Sequence, residues 1–474
     1  MSLAGSSLVS IDDLSNGEIE ALFSLADEMS NSLSDQSGVC QGKIMASLFF
    51  EPSTRTRLSF ETAMLRLGGK VITAVEVGAT SLAKGESLAD MARVVGSYAD
   101  IIVIRHPWEG AARVVADYAG IPVINAGDGG HEHPTQALCD LYTIKKERGT
   151  IKGLKIALFG DLKYGRAVHS LAYALARFGA IILFPPSPGL EMPEHVLRKL
   201  TTEYKGKLIR LEAPNQEVKE GLFPLDAMYV TPSSSHQLAM LPDISIQLEL
   251  KKTGIDTLYV MRLQKERHAP TEEGEELKKS YPVVDKKLLK GKEFKKTIVM
   301  HPLPRVDELA YELDADPRSM YFKQAARGVP VRMALIALLL GTKEMVISKE
   351  ADSFVQKKVD YPIYDRDSGV RCSNSNCISN QETEARYIKP KFKIVSLSPL
   401  TLRCLYCEHE VHPKYIASSD WHQGMLATKK YHSVDSHWIR KIKPENLIIF
   451  DSESEAVAHG FKPSSYITAH RKGR

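Results

Sequence analysis

The sequence is poor in cysteine and tryptophan, with six cysteines and three tryptophans in 474 residues. So low a cysteine content excludes the disulfide-dense scaffolds that are typical of small secreted domains. Four of the six nevertheless crowd into one C-terminal segment: Cys372, Cys377, Cys404 and Cys407. This clustering indicates a metal site, and disulfide bonds are the less favoured alternative.

Long apolar runs are lacking as well. The run from Ala334 to Leu340 falls far short of the ~20 residues that a membrane-spanning helix needs. The first residues, MSLAGSSLVSIDDLS, show no basic segment before an apolar stretch. We therefore expect a cytoplasmic protein without a membrane partner.

The sequence has little net charge, since 62 Lys and Arg face 58 Asp and Glu, an excess of +4. This small excess does not predict a polyanionic partner. The tail does contain a basic set, for which we favour a solvated face over a nucleic-acid interface. The set comprises Lys429, Lys430, Arg440, Lys441, Lys443, Arg471, Lys472 and Arg474.

Short apolar segments alternate with amphipathic ones over two stretches, which predicts two α/β domains with parallel sheets. The first set of strands is KIMASLFF, KVITAVEV, DIIVIRH and IPVINAG. The second set is LKIALFG, AIILFP, DTLYVMR and KTIVMHPLPR. LDAMYV and IDTLYV, between Leu225 and Leu258, look like two copies of one strand, and we expect one to be an insertion or an extra edge strand. The apolar segment from Phe322 to Gly341 predicts a helix that packs back on the first domain.

The stretch FFEPSTRTRLSFET concentrates hydroxyl and guanidinium donors directly after a predicted strand. Pro52 ends this strand, and the spacing of Phe60, Met64 and Leu67 predicts a helix. Residues 53–56 then occupy its first turn, where backbone N–H groups, the helix dipole and the side-chain donors favour a phosphate. An ordinary Ser or Thr cap beside a solvated arginine is the alternative, and this motif alone does not decide between them.

Further polar signals follow apolar runs downstream. Ligands of open parallel sheets bind beyond the carboxyl ends of the strands, so we expect these signals to meet in one cleft between the domains. They are RHP at Arg105, HPTQ at His133 and Gln136, DLKYGR at Arg166, RLQKER at Arg262 and Gln264, and HPLPR at His301.

Together, PSTRTRLSFE, LAKGESLAD, RHPWEGAARVVADY, NAGDGGHEHPTQALCDLYTI, GDLKYGRAVHSL, MRLQKER and HPLPRVDELA resemble the catalytic chain of the aspartate carbamoyltransferase family. The resemblance extends from Ser10 to Gly341. It implies transfer of a carbamoyl group from carbamoyl phosphate to L-aspartate in pyrimidine biosynthesis, without a catalytic cofactor. It also implies a catalytic trimer with shared active sites.

The resemblance further implies roles for individual residues. Phosphate is held by Ser53, Thr54, Arg55 and Thr56, and by Ser81 and Lys84 on a loop from a neighbouring subunit. The carbamoyl oxygen accepts from Thr56, Arg105 and His133, which with Arg55 form the catalytic set. The carbamoyl amide is oriented by Gln136 and the backbone of Pro302 and Leu303. The carboxylates of aspartate are bound by Arg166, Arg262 and Gln264.

Two other functions compete with this interpretation. Ornithine carbamoyltransferases share the S-T-R-T motif, but the HPLP segment and the RLQ arginine argue against them, because a second cationic anchor suits a second carboxylate. A catalytically silent scaffold or a nucleic-acid-binding protein on the same fold is the other alternative. A silent relative would be expected to lack some of the cationic set, and Arg55, Arg105, His133, Arg166 and Arg262 are all present.

The C-terminal cysteines stand in two pairs, RCSNSNC and RCLYC, whose spacing fits a closed zinc site with four thiolates. Both segments resemble the zinc domain of the regulatory chain of aspartate carbamoyltransferase, which implies a structural Zn²⁺. In that chain a nucleotide-binding domain precedes the zinc domain, whereas here only a short linker follows Gly341. We therefore expect a module that stabilises trimers or joins them into a larger assembly, without nucleotide regulation.

The predicted fold class is α/β, with two doubly wound parallel-sheet domains, a small β-rich zinc domain and a small C-terminal α+β module. The predicted domains are residues 1–138 for carbamoyl phosphate, 139–310 for aspartate, 311–345 for helices that pack back on the first domain, 346–415 for the zinc domain and 416–474 for the basic tail module.

Overall fold

The structure, a computed structural model, describes residues 2–31, 36–75, 85–185, 189–210, 225–231, 255–262, 283–347, 360–382, 388–419 and 429–472. The chain divides into two compact units. The larger unit comprises residues 1–86, 90–107 and 115–357, and the smaller unit comprises residues 87–89, 108–114 and 358–474. Within the described ranges, every helix is too short or too polar to cross a lipid bilayer.

The larger unit contains two sheets in which all strands are parallel, as predicted. The four strands of the first sheet are β1 (Ile44–Phe49), β2 (Lys70–Val75), β3 (Ile101–His106) and β4 (Val123–Asp128). They lie in the order β2-β1-β3-β4. β2 and β3 lie on opposite sides of β1, so the strand order reverses beside β1. Ligands of open α/β sheets bind at such a point.

The second sheet has six described strands in the order β10-β9-β8-β5-β6-β7. They are β5 (Lys155–Gly160), β6 (Ile181–Phe184), β7 (Lys207–Arg210), β8 (Ala227–Thr231), β9 (Thr257–Val260) and β10 (Ile298–Met300). The expectation of an extra edge strand is wrong, because β8 and β9 are both interior neighbours and fully buried. Sequence analysis missed β7, an edge strand whose four residues are exposed or only half-buried.

Eight helices with described bounds lie between Asn16 and Leu339. They are α1 (Asn16–Asn31), α2 (Thr54–Arg66), α3 (Leu88–Gly96), α4 (Ala111–Tyr118), α5 (Pro134–Arg148), α6 (Arg166–Arg177), α7 (Glu194–Thr202) and α8 (Tyr321–Leu339). Short 3₁₀ helices cover Ile11–Asp13, Leu288–Lys290, Lys292–Phe294 and Tyr311–Ala315.

The sequence explains where α5 starts and stops. Pro134 occupies its first position, where a missing N–H costs nothing, and Gly149 ends it in the left-handed conformation. The buried helix α8 packs against α1, α2 and α5. Side chains from α2, α5, α6 and α8 join one hydrophobic core, which fixes the first turns of these helices relative to the strand ends.

The smaller unit contains two four-stranded sheets. One has the order β11-β12-β13-β14 and consists of β11 (Ile363–Tyr364), β12 (Phe392–Leu397), β13 (Leu400–Cys404) and β14 (Glu410–Val411). The other has the order β17-β15-β16-β18 and consists of β15 (Tyr415–Ser418), β16 (Lys430–Ser433), β17 (Leu447–Phe450) and β18 (Lys462–Pro463).

Short helices complete the smaller unit. They are α9 (Ile378–Gln381), α10 (Glu453–Ala458) and α11 (Ser465–Lys472), with 3₁₀ helices at His437–Arg440 and Pro444–Asn446. Around the second sheet, Tyr431, Phe450, Phe461 and Ile467 form a separate core. The β-rich cysteine domain and the small α+β module therefore have the predicted fold class.

Two glycines with left-handed backbones make a matched test of this packing. A Cβ at Gly160 (φ +96°), at the end of β5, would lie 1.8 Å from the Thr231 carbonyl oxygen, whereas a Cβ at Gly153 (φ +66°) would meet nothing within 4 Å. We expect Gly160→Ala to lower the free energy of unfolding by at least about 3 kcal/mol and Gly153→Ala by about 1 kcal/mol. Denaturant unfolding followed by circular dichroism measures both losses. Equal losses would contradict the role assigned to the close strand contact.

Candidate active site and metal centre

The larger unit contains a cavity of about 410 Å³ at the ends of strands and the first turns of helices. Eleven residues predicted from the sequence line it: Ser53, Thr54, Arg55, Thr56, Arg105, His133, Gln136, Arg166, Arg262, Pro302 and Leu303. Ser81, Lys84 and Gln264 fall outside the described residues. The structure thus brings together every predicted substrate residue that it describes.

The predicted cradle occupies the N-terminus of α2. Ser53 lies at the N-cap position, but its hydroxyl makes no capping hydrogen bond, so the ordinary-cap alternative does not describe it. Thr56 is buried, whereas Thr54 and Arg55 are exposed. Partial desolvation of its guanidinium in the cavity and the nearby charge of Arg262 lower the pKa of Arg55, which remains cationic because guanidinium groups start from so high a value. This turn offers hydroxyls, backbone N–H groups and positive charge to one anion.

Glu51 was not predicted, and it joins two of the predicted arginines. Its Oε1 accepts from Arg105 Nη2 at 2.7 Å and from Arg166 Nη2 at 2.8 Å, and its Oε2 accepts from Arg166 Nη1 at 2.8 Å. Arg166 Nη1 also donates to the Gly129 carbonyl oxygen. One carboxylate therefore pairs with two guanidinium groups from the ends of different sheets and offsets half of their combined charge.

His133 and Gln136 lie at the start of α5. His133 is the N-cap residue, and its backbone N–H donates to Ser170 Oγ at 3.0 Å. One turn later, Gln136 Nε2 donates to Asp140 Oδ1 at 2.8 Å. Both side chains line the cavity from a helix end that is anchored by buried hydrogen bonds.

The segment after β10 is held by a buried histidine. The Leu303 N–H donates to His301 Nδ1 at 2.8 Å, so the proton of the neutral ring sits on Nε2, which faces Glu308 Oε1 at 2.7 Å. Burial lowers the pKa of His301, which favours this neutral form. Leu303 itself has φ +56°, a backbone conformation that residues other than glycine rarely adopt. The backbone of Pro302 and Leu303 therefore reaches the cavity in a fixed geometry.

Sequence analysis also missed Arg332 on α8. Its side chain is 4% exposed, its Nη1 donates to Ser59 Oγ at 2.9 Å, and its guanidinium lies 4.9 Å from the centre of the Phe60 ring. The sequence signal that could have identified Arg332 is an arginine in the middle of the apolar segment GVPVRMALIALLL, because arginine is rarely buried unless it is paired. Cys139 also lines the cavity, but burial raises the pKa of its thiol, which makes it a poor nucleophile. The site is built to hold anions.

The four clustered cysteines form a second candidate site, in the smaller unit. All four sulfur atoms lie within 4.8 Å of one another, with Cys372 Sγ 3.4 Å from Cys407 Sγ and Cys377 Sγ 3.7 Å from Cys404 Sγ. A tetrahedral Zn²⁺ with Zn–S bonds of about 2.3 Å requires sulfur separations of about 3.8 Å. Burial raises the pKa of Cys404 and Cys407, whereas hydrogen bonds from the neighbouring thiols lower the pKa of Cys377. A bound cation stabilises all four as thiolates. The donor set fits a closed structural metal site.

The loop between Cys372 and Cys377 is tied down inside the same unit. Asn374 Nδ2 donates to Glu109 Oε2 at 2.7 Å, and the Glu109 N–H donates to the Asn376 carbonyl oxygen at 3.0 Å. These bonds fix the geometry of the cysteines that flank the loop.

Comparison with protein families matches separate parts of the chain. The model of the aspartate/ornithine carbamoyltransferase carbamoyl-phosphate-binding domain matches residues 6–146, and that of the aspartate/ornithine-binding domain matches residues 242–339. The model of the metal-binding domain of the aspartate carbamoyltransferase regulatory chain matches residues 366–417.

Individual relatives agree with these matches. The aspartate carbamoyltransferase catalytic subunit of Methanocaldococcus jannaschii is 45% identical over 340 residues, 71% of this chain and 98% of the relative. That of Thermococcus kodakarensis is 47% identical over 344 residues, 72% of this chain and 99% of the relative. Among solved structures, aspartate transcarbamoylase from Trypanosoma cruzi in complex with carbamoyl phosphate and aspartate aligns with a TM-score of 0.57 and 38% identity, over 71% of this chain and 98% of that chain.

The cysteine cluster predicts a stoichiometric metal. We expect Cys404→Ser to lose the bound metal and to melt earlier in the smaller unit, because a hydroxyl is a far weaker ligand than a thiolate. Cys40→Ser is the matched control, since Cys40 is buried but lies outside the cluster. Elemental analysis of the purified chains measures the metal. Equal metal content in Cys404→Ser and wild type would contradict the assignment.

Proposed function

The chain belongs to the aspartate/ornithine carbamoyltransferase family, and we propose that it transfers the carbamoyl group of carbamoyl phosphate to L-aspartate. The products are N-carbamoyl-L-aspartate and phosphate, which places the reaction in pyrimidine biosynthesis. The observation that carries this proposal is the convergence of Arg55, Arg105, His133, Arg166 and Arg262 on one cavity. No described feature of the cavity favours a catalytically silent scaffold.

In this proposal the first turn of α2 binds the phosphate, and Thr56, Arg105 and His133 donate to the carbamoyl oxygen. The amine of aspartate forms a bond to the carbamoyl carbon, the bond from that carbon to the phosphate oxygen breaks, and an amine proton leaves with the phosphate. Negative charge grows first on the carbamoyl oxygen and then on the phosphate. Donors fixed at both positions stabilise the transition state without a covalent intermediate.

Arg166, Arg262 and Gln264 bind the two carboxylates of aspartate in this proposal. Both terminal nitrogens of Arg166 donate to Glu51, which holds the guanidinium in one orientation. A substrate carboxylate therefore binds to a guanidinium that is already positioned. A cationic side chain in place of the second carboxylate would be repelled by Arg262. This charge preference supports aspartate over ornithine as the acceptor.

We propose that the catalytic unit is a trimer whose neighbouring chain supplies Ser81 and Lys84. The first sheet has an exposed edge strand, β2, and large apolar side chains are exposed on it, on α2, and on α3 and the turn that follows α3. They are Leu58, Leu65, Ile72, Val75, Val94 and Tyr98. Exposed apolar surface of this extent is typical of subunit contacts. The exposure of Thr54 and Arg55 agrees with a cradle completed by a further chain segment.

For the C-terminal part, we propose that Zn²⁺ is the metal of the cysteine cluster and that the zinc domain stabilises trimers or joins them into a larger assembly. The proposed boundaries remain 1–138, 139–310, 311–345, 346–415 and 416–474. Four buried sulfur atoms at tetrahedral separations support zinc over harder cations, which prefer oxygen ligands.

Removing the guanidinium of the cradle tests the proposed activity. We expect Arg55→Ala to lower kcat by at least about 100-fold, because a donor to developing charge is lost. Arg66→Ala is the matched control, since Arg66 is exposed at the other end of the same helix. Colorimetric detection of carbamoyl aspartate measures both rates. Citrulline production from ornithine by the wild-type protein, without carbamoyl aspartate, would overturn the substrate assignment.

Mixing inactive chains tests the shared site. Exchange between Lys84→Ala and Arg55→Ala chains should restore roughly a quarter of wild-type activity, because a random trimer then pairs an intact cradle with a neighbour's intact lysine. Mixing Lys84→Ala with the Lys84→Ala, Arg55→Ala double variant is the control, since no chain then carries the lysine. An exchanged mixture that stays inactive would contradict a site shared between chains.

A further inference from the structure

Asp140 lies directly behind the cavity, on the inner face of α5. The side chain is fully buried, and it accepts three hydrogen bonds from three different elements. Oδ1 accepts from Gln136 Nε2 of α5 at 2.8 Å and from Gln324 Nε2 of α8 at 2.7 Å. Oδ2 accepts from the Tyr259 hydroxyl of β9 at 2.8 Å. A single carboxyl group thus connects α5 and α8, which line the cavity, with β9, which lies directly before the lining residues Met261 and Arg262.

The bond from Gln136 to Asp140 fixes which end of the Gln136 amide faces the cavity. Asp140 Oδ1 accepts from Gln324 Nε2 and has no proton to donate, so a Gln136 amide oxygen placed against it would be repelled, whereas an N–H can donate to it. The Nε2 end of Gln136 must therefore face Asp140. Because Gln136 lines the cavity, its Oε1 is the end that a ligand meets.

Gln324 connects Asp140 to the segment after β10 and is oriented by Asp140 in the same way as Gln136. Its Nε2 is bound to Asp140, so its Oε1 faces the other way and accepts the His301 N–H at 2.9 Å. His301 in turn accepts the Leu303 N–H. The amide oxygen of Gln136 and the backbone of Pro302 and Leu303 are therefore positioned from one buried atom, Asp140 Oδ1.

We propose that Asp140 is a positioning residue that makes this site selective for an acyl phosphate bearing an NH₂ group, by presenting the Gln136 oxygen to that group. This inference rests on the proposed function. A held oxygen accepts from the NH₂ of carbamoyl phosphate, whereas the methyl group of acetyl phosphate offers no donor and leaves the oxygen without a partner. Sites with a fixed, buried polar group discriminate strongly against analogues that cannot pair with it.

The arrangement tolerates a change in the charge of Asp140. Burial raises the pKa of Asp140 to about 7, although hydrogen bonds from Tyr259, Gln136 and Gln324 and the charge of Arg332 oppose the rise. Cys139 and Tyr229 are the other titratable groups that face it. A proton on Oδ2 can be donated to the Tyr259 hydroxyl, which can accept as well as donate. Oδ1 then remains an acceptor in both charge states.

The same reasoning separates two substitutions at this position. Asp140→Asn keeps an oxygen against the two glutamines and turns its NH₂ to Tyr259, so we expect a KM for carbamoyl phosphate within about threefold of wild type. Asp140→Leu has a similar shape but no acceptor, and releases the Gln136 amide. We expect its KM for carbamoyl phosphate to rise about tenfold or more. Tyr229→Phe is the matched control, because Tyr229 packs against Tyr259 but is not among the described donors to Asp140.

The decisive readout is the ratio of the inhibition constant of acetyl phosphate to the KM of carbamoyl phosphate, measured by carbamoyl aspartate formation. We expect the ratio to fall about fivefold or more in Asp140→Leu and to stay near wild type in Asp140→Asn and Tyr229→Phe. General loosening of the site would raise both constants and leave the ratio unchanged, which would overturn the inference. So would an Asp140→Asn variant as unselective as Asp140→Leu.

Neutron diffraction of the wild-type protein provides a test that does not depend on whether Asp140→Leu folds. A Gln136 nitrogen with one deuteron directed at Asp140 Oδ1 would agree with the inference, and a Gln136 oxygen against Asp140 with the nitrogen on the cavity side would overturn it. Failure of the proposed function is distinguishable, because a wild-type protein that forms no carbamoyl aspartate refutes the function, whereas an active wild type with an unchanged ratio in Asp140→Leu refutes only this inference.

Discussion

Repulsion among cationic side chains around one cavity is the constraint on which this structure depends. Arg55 and Arg262 lie close enough for the charge of Arg262 to lower the pKa of Arg55. Arg105 and Arg166 both pair with Glu51, whose negative charge reduces the repulsion between them. A dianionic acyl phosphate and a dicarboxylic acid supply the negative charge that this cavity favours. The same positive charges that repel one another in the empty cavity thus attract these anionic substrates.

The fold meets this constraint with two kinds of support. Strand ends and helix N-termini bring the cationic groups together, because parallel strands deliver successive segments to one edge of a sheet. Behind them, a buried polar layer fixes orientation. His301 and Glu308 hold the segment after β10, and Asp140 with Gln324 connects that segment to α5 and β9. Such networks rigidify a site when every donor and acceptor is paired.

Much of this could be predicted from the sequence, because the signals were local. Alternating apolar segments gave the two parallel sheets, and the donors after Pro52 gave the first turn of α2. Glu51 was missed because its partners, Arg105 and Arg166, are distant in sequence and only the fold shows them meeting. Asp140 was missed for the same reason.

The remaining errors also have physical causes. The strand Lys207–Arg210, whose residues are exposed or only half-buried, has no apolar run by which it could be recognised. The similarity of LDAMYV and IDTLYV suggested an insertion or an extra edge strand, but both are interior strands, and interior strands of parallel sheets are apolar on both faces. The cysteine spacing predicted the cluster, since four thiols in two close pairs have few other arrangements in a small domain.

The central claim is that one cavity holds an acyl phosphate and a dicarboxylic acid side by side. A crystal structure of the protein with N-(phosphonacetyl)-L-aspartate, which joins a phosphonate to aspartate, tests it most directly. We predict the phosphonate against residues 53–56 and the carboxylates against Arg166 and Arg262. A cavity that stays empty at saturating ligand, or a ligand bound elsewhere, would contradict this account.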